Sequence, residues 1–161
     1  MSTFEARLAY HRPRLQRAAF GLYGDREAAR EAAQETLTRA WAARDRFDPR
    51  RPLYPWLSTI LRNLARDQKA RRRPVLGLDA ERVLHGDPGP LARLTRAEGE
   101  ARLHAALETL SDPHREILVM RHFEDLSYAE IALALGVAEG TVMSRLYRAR
   151  KALVKAMRGE R

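Results

Sequence analysis

A chain of 161 residues is long enough for one domain or two small ones, and its hydrophobic fraction of 45% permits a packed core. No apolar run long enough to span a membrane and no signal-peptide pattern is present, and the absence of cysteine excludes disulfides and thiolate zinc sites. These features favour a cytoplasmic protein. The net charge of +9 and a pI near 10.7 favour a polyanionic partner, most simply nucleic acid.

The positive charge is concentrated in two segments, 50–73 and 141–161. Residues 1–73 hold 17 basic and 8 acidic side chains, and residues 141–161 hold 7 basic and 1 acidic side chain. Two DNA-contacting surfaces on two separate domains would produce this distribution.

Apolar residues at helical spacing predict three helices in the first 73 residues. The first begins at Ser2, and Pro13 is expected to kink or split it because proline cannot donate a backbone hydrogen bond. The second runs from about 26 to 43, with Asp25 as its N-cap.

A loop rich in arginine and proline, residues 44–55, precedes the third helix. That helix should pack an apolar stripe beginning at Trp56 into the core. Its solvent face should carry Arg62, Asn63 and Arg66, one turn apart.

Residues 74–92 hold three prolines and three glycines without a sustained period, which predicts a flexible linker. Helix four is predicted over 93–110. Helix five should start with Asp112 as its cap and Pro113 in its first position, which proline favours.

The stretch from Leu126 to Leu153 has the pattern of a helix-turn-helix. Ser127 and Glu130 can form a capping box, and Gly136 is placed to end the short helix that follows. A second, basic helix opens near Glu139 and buries a stripe at intervals of three and four. Its exposed face can enter the major groove of DNA, although a helical hairpin with a solvated basic face has the same pattern. With no strand-period segment, the chain is predicted to be all-α, in two domains.

Both halves resemble one known family. The motifs are AREAAQETLTRAW and RFDPRRPLYPWLSTILRNLARDQKARRR in the first half, and LETLSDPHREILVMRHFEDLSYAEIALALGVAEGTVMSRLYRARKAL in the second. They resemble regions 2 and 4 of the extracytoplasmic-function (ECF) sigma factors, the small alternative initiation subunits of bacterial RNA polymerase. The resemblance implies two small helical domains, region 2 over 1–73 and a helix-turn-helix region 4 over 93–161, joined by the flexible linker 74–92.

The resemblance implies an alternative sigma factor that binds core RNA polymerase, directs it to specific promoters and assists their melting. Region 4 of the family docks its recognition helix on the upstream, minus-thirty-five element. The residues that match it are Gly140, Thr141, Ser144, Arg145, Arg148 and Lys151. The amides of the first two suit a phosphate at a helix N-terminus, and Ser144 and Arg145 are placed for base edges. Met143 stands where many members carry a cation, so sequence preference is expected to differ.

Region 2 of the family captures the downstream, minus-ten element as single-stranded DNA. The matching residues are Arg50, Arg51, Tyr54, Arg62, Asn63 and Arg66. Phe47 and Trp56 are better placed as core or loop anchors than as stacking platforms. The arginines at 71–73 fit a solvated helix end as well as a DNA contact, and they attract phosphate in both cases.

The second helix implies the contact with core polymerase. Its matching residues are Glu31, Gln34, Glu35 and Thr38, although an ordinary solvated helix face is the alternative. The expected partners are core RNA polymerase, promoter DNA and an anti-sigma factor. No cofactor, metal or small-molecule substrate is expected.

Other functions explain less of the chain. The five histidines share no helical face and the carboxylates do not cluster, so no enzyme is indicated. A stand-alone helix-turn-helix regulator is the alternative, but it gives residues 1–73 no role. A sigma-like decoy that only titrates an anti-sigma factor would not need the basic face that both halves carry.

Overall fold

The computed structural model describes the backbone of residues 3–72 and 91–159, and the side chains of 3–71 and 97–159. Within these ranges the chain is all-α, as predicted, with seven α-helices, one 3-10 turn and no strand. The predicted linker 74–92 lies outside the described residues, apart from positions 91–92, which begin a helix. The capping role predicted for Ser2 and the arginine at 73 also lie outside them.

The helices are close to their predicted positions. In chain order they are α1 (Thr3–Tyr23), α2 (Arg26–Ala42), α3 (Leu53–Arg72), α4 (Leu91–Thr109), α5 (Asp112–His122), α6 (Tyr128–Leu135) and α7 (Glu139–Met157), with a 3-10 turn at Arg44–Arg46 between α2 and α3.

The first helix is continuous, so the predicted kink or split at Pro13 is wrong. Pro13 lies on the exposed side of α1, where the carbonyl group that loses its partner can meet water. Leu8 and Leu15, on either side of it, are buried at 6% and 0% exposure and hold the helix against its neighbours.

Helices α1, α2 and α3 pack on one another around an apolar core. Small residues such as Ala18 and Ala33 are fully buried, which lets the helix axes approach closely. Leu57 and Leu61 of α3 fill the space between them, each with no exposed surface.

The second half packs α4, α5 and α6 around α7. The predicted stripe of α7 is buried at Val142, Leu146 and Ala149, each at 0% exposure. Ile117 of α5 and Ile131 of α6 complete this core. The helix-turn-helix is therefore held by the apolar face of its second helix, which leaves the opposite face free.

The caps explain where the helix-turn-helix begins and turns. Ser127 accepts from the Glu130 amide at 3.1 Å, and the Glu130 carboxylate accepts from the Ser127 amide at 2.8 Å, which confirms the capping box. Gly136 adopts a left-handed φ of 65° at the end of α6, as its position predicted. At α5, however, the N-cap is Ser111, whose backbone is extended, and Asp112 is already helical.

The two halves pack against each other, a question that the sequence left open. Helix α1 contacts α5, and α3 contacts α6. Gly21 lies so close to the Phe123 ring that a Cβ atom would be 2.9 Å from it. The Arg14 Nε donates to the backbone carbonyl of Glu124 at 2.6 Å. The apolar clusters of both halves consequently form one continuous core.

Candidate nucleic-acid interface

The outer face of α7 displays the residues predicted for duplex DNA. Ser144 and Arg148 are exposed, and Arg145 is half-buried. The Ser144 hydroxyl donates to the Thr141 carbonyl at 3.1 Å, and Arg148 Nε donates to the Ser144 carbonyl at 3.3 Å. These contacts are local to the helix, so the polar groups can be redirected to a ligand at small cost.

The N-terminus of α7 differs from the expected anion site in one respect. The Thr141 amide donates to the Ala138 carbonyl at 3.0 Å, and it is therefore less available to a phosphate than predicted. Gly140 is exposed, with no other atom within 4 Å of where a Cβ would lie. The start of the helix is thus sterically open.

Two large apolar side chains also lie on this outer face. Met143 is 58% exposed and Tyr147, one turn later, is 63% exposed. The Lys151 ammonium group lies 5.3 Å from the centre of the Tyr147 ring, within the range of a cation–π contact. Sequence reasoning missed Tyr147, although its position between Ser144 and Lys151 placed it on the same margin.

On α3, the prediction that Arg62 faces solvent is wrong. Its side chain is buried at 4% exposure, and its guanidinium group donates to the hydroxyl groups of Ser58 at 2.5 Å and Thr59 at 3.2 Å. Burial lowers the pKa of Arg62, against the pull of nearby carboxylates. The sequence could not reveal this, because the covering residues come from the other half of the chain.

Arg66 is more exposed, but its charged end is engaged. It forms a bidentate ion pair with Glu116 of α5, with Nε–Oε1 at 2.6 Å and Nη2–Oε2 at 2.5 Å. One turn later, the Lys69 ammonium lies 2.5 Å from Oδ1 of Asp112. Of the residues predicted on this face, Asn63 is exposed as expected.

Tyr54 is buried at 3% exposure, so the tyrosine predicted to contact DNA is not accessible in this arrangement. The guanidinium group of Arg14 stacks on its ring, with Cζ 3.9 Å from the ring centre. Burial raises the pKa of the Tyr54 hydroxyl, and the neighbouring Glu124 raises it further.

Glu124 is the most deeply buried acid among the described residues, with 0% exposure. It follows α5 and inserts between α1 and α3. Burial raises the pKa of its carboxyl group, while the Ser58 and Tyr54 hydroxyl groups and the guanidinium groups of Arg62 and Arg14 act in the opposite direction.

The loop before α3 forms an aromatic cleft of about 440 Å³. The rings of Phe47 and Trp56 are 5.0 Å apart and half-buried, which fits their predicted role as loop anchors. Arg51 lines the cleft, and Arg50 is exposed and paired with Asp48 at 3.0 Å. The far wall consists of Leu133 and Ala134 of α6.

The residues predicted to bind polymerase share one surface of α2. Glu31, Gln34, Glu35 and Thr38 are all exposed. Glu35 pairs with Arg39 at 2.7 Å along the helix. Gln34 and Thr38 also line a groove of about 380 Å³ between α1 and α2, with Leu8, Leu37 and Trp41 among its apolar residues. This groove is wide enough to accept a side of a partner helix.

Two further observations concern the described part of the chain. No helix there is long and apolar enough to cross a membrane. Its His, Asp and Glu side chains form no group of three or more that could hold a metal ion.

Comparison with known proteins places both halves in the same family. The profile of Sigma-70 region 2 matches residues 8–75, and that of Sigma-70, region 4 matches residues 100–153. The ECF RNA polymerase sigma factor EcfG of Rhodopseudomonas palustris (strain TIE-1) is 40% identical over 144 residues, which cover 88% of this chain and 77% of the relative. ECF RNA polymerase sigma factor SigL of Mycobacterium tuberculosis (strain H37Rv) is 37% identical over 146 residues, covering 89% and 82%.

Two solved structures show the same fold. The sigma factor RpoE in complex with the anti-sigma factor NepR from Bartonella quintana has a TM-score of 0.71 and 27% identity, covering 100% of both chains. CnrH in complex with the cytosolic domain of CnrY has a TM-score of 0.71 and 27% identity, covering 98% of this chain and 89% of that one. With its two matching regions and with relatives of this identity over most of their length, the chain belongs to the extracytoplasmic-function family of RNA polymerase sigma factors.

Proposed function

We propose that this sigma factor binds core RNA polymerase through α2 and places two DNA-contacting surfaces, on α7 and on the loop–α3 segment, against the two elements of a promoter. The observation that carries the proposal is that one chain holds both helical units, each with its own cationic surface. Residues 1–73 would act as the region 2 domain and residues 93–161 as the region 4 domain. The chain would act by binding and positioning, without a catalytic step of its own.

Recognition of the upstream element is assigned to α7. Its buried stripe fixes the rotation of the helix, so that Ser144, Arg145 and Arg148 lie on or beside the outward surface. Arginine can donate two hydrogen bonds to one guanine edge, which suits Arg145 as a base reader. Arg148 and Lys151, further along the helix, suit phosphate contacts.

Capture of the downstream element is assigned to the loop and to α3. Single-stranded DNA is typically held by cations along its backbone and by aromatic or polar pockets for its bases. Arg50 and Arg51 are exposed beside the aromatic cleft, and Asn63 is exposed on α3. Arg62, Arg66 and Tyr54 would join this surface only after the contacts with the second half are released.

Binding to polymerase is assigned to the α1–α2 groove and its rim. An apolar floor with a polar rim is the usual anatomy of a protein-binding surface. The rim is formed by the four predicted residues of α2, and the groove residues Leu37 and Trp41 lie beside them. Since polymerase is the partner, the expected place of action is the cytoplasm.

An anti-sigma factor is the expected regulator of this chain. Both solved structures with the same fold contain a sigma factor bound to an inhibitory or regulatory partner, NepR or the cytosolic domain of CnrY. At 27% identity these complexes support the class of partner and leave its identity open.

The direct test is run-off transcription on genomic fragments with core polymerase, with and without the protein. We expect initiation at new sites only when both are present. A stand-alone helix-turn-helix regulator would instead bind an operator tightly without polymerase and add no initiation on any fragment. That second result would replace the proposal.

A further inference from the structure

The cations of α3 face a row of acids contributed by the other half of the chain. Arg66 is held by both carboxylate oxygens of Glu116, and Lys69 is paired with Asp112. As the residue number rises along α3, it falls along α5, so the two helices present their charges in opposite directions and in matching steps of about one turn.

The same series continues into the buried part of the interface. Arg62, one turn before Arg66, feels the charge of Glu124 as its largest attractive contribution. Glu124 has no exposed surface and lies against α3. Three successive cations of α3 therefore face three acids of the C-terminal half.

A second part of the proposed DNA surface is covered by the same half. Leu133 and Ala134 of α6 form the far wall of the cleft that contains Phe47 and Trp56. A base that entered this cleft would meet α6 rather than solvent on that side. The cation row and the aromatic cleft are thus covered together, by consecutive elements of the same half.

The acids and a DNA backbone would use the same donors. A guanidinium group binds a carboxylate or a phosphate through the same pair of N–H groups, so the two ligands exclude each other at Arg66. Because the acids belong to the same chain, their effective concentration near α3 is high, and free DNA competes poorly with them.

We propose that Asp112, Glu116 and Glu124 form an internal mimic of the DNA backbone that closes the C-terminal half over the downstream-element surface of α3. The chain then binds the downstream strand only when the halves separate, as they would when polymerase holds them at two distant promoter elements. This inference rests on the proposed function, since it takes α3 as a DNA surface.

The experiment uses the absence of cysteine from the whole chain. Cysteines are introduced by Lys69→Cys and Asp112→Cys, at two positions that are about half exposed and outside the residues assigned to DNA. A short bis-maleimide joins them and locks the halves together. Binding of a labelled single-stranded DNA oligonucleotide is then measured for the full chain, and run-off transcription is measured with core polymerase.

We expect the joined protein to lose at least about tenfold in affinity for the oligonucleotide and to lose run-off transcription, because α3 stays covered. The double variant capped with a monofunctional maleimide, and each single cysteine variant treated with the bis-maleimide, should keep both activities. Equal affinity and equal transcription in the joined and capped proteins would overturn the proposal.

The yield of joining is a second readout that needs neither DNA nor polymerase. Glu116→Gln, which keeps the size of the side chain but removes its charge, should lower the yield in the free chain. Glu98→Gln, the same change at an exposed position of α4, should not. No joining in the free chain, or a yield indifferent to Glu116, contradicts the closed state. If the capped protein neither binds the oligonucleotide nor initiates, the proposed function fails, while the yield still decides whether the halves close.

Discussion

At the scale of single residues, the buried carboxylate of Glu124 is the group whose ionisation is most strongly opposed by its surroundings. Burial raises its pKa, and the nearby guanidinium groups of Arg62 and Arg14 offset part of that effect. Replacing a buried charge with a neutral group of the same shape removes the cost of desolvation, provided that hydrogen bonds are kept. Glu124 therefore has a role in closing the two halves that its sequence context did not indicate.

The Glu124→Gln variant should change how stability depends on pH. Because the folded-state pKa of Glu124 is raised, its contribution is fully present below the ordinary value of 4.5 and is lost as pH rises through the raised value. We expect the melting temperature of the variant, relative to the natural protein, to rise between about pH 4 and about pH 8. Thermal unfolding monitored by circular dichroism measures this, with Glu98→Gln as control. A difference that does not vary with pH would contradict the assignment.

Arg145 is the residue to which base reading is assigned. Arg145→Ala should reduce discrimination at the upstream element by about 1–3 kcal/mol if the side chain makes a bidentate base contact. Competition between promoter variants for the polymerase holoenzyme measures the effect. Lys155→Ala removes an exposed cation from the end of the same helix and should leave base preference unchanged. Unaltered preference in the Arg145 variant would mean that the base reader lies elsewhere.

At the scale of helices, local patterns were sufficient to predict the elements and their ends. The capping box at Ser127 and Glu130, the glycine at 136 and the buried stripe of α7 depend on neighbours within a few residues, and all are found as predicted. The continuity of α1 through Pro13 depends on packing on both sides of it, and the pattern alone did not reveal that.

Gly136 gives this scale a direct test. Its φ of 65° is unfavourable for any residue with a Cβ, although the space around it is open. Gly136→Ala should cost about 1–2 kcal/mol of stability. Gly99→Ala, within helix α4 and equally open, should instead stabilise by about 0.5–1 kcal/mol. Urea unfolding measures both; a neutral Gly136→Ala would show that the turn relaxes.

The exposed face of α2 tests the polymerase assignment. Gln34→Ala combined with Glu35→Ala should weaken binding to core polymerase. The fold should remain intact, because both side chains are exposed and the ion pair of Glu35 with Arg39 is worth only about 0–1 kcal/mol. Fluorescence titration with core polymerase measures the affinity, and the melting temperature serves as the check on folding. Unchanged affinity would remove these residues from the interface.

At the scale of the whole molecule, two halves with separate cationic surfaces pack into one body. The sequence predicted both surfaces, because charge segregation and helical spacing are properties of each half alone. It did not predict the burial of Arg62 and Tyr54 or the pairing of Arg66, since these depend on acids more than fifty positions away along the chain. The downstream-element site is consequently the part of the account most altered by the fold.

The central claim is that one chain reads two promoter elements at a fixed separation. The most direct measurement is run-off transcription with core polymerase on a promoter series in which the spacing between the two elements changes by single base pairs, up to about five, or half a helical turn. The account predicts a narrow optimum, with initiation falling steeply on either side as the two halves lose simultaneous contact. Initiation that is indifferent to spacing would contradict it.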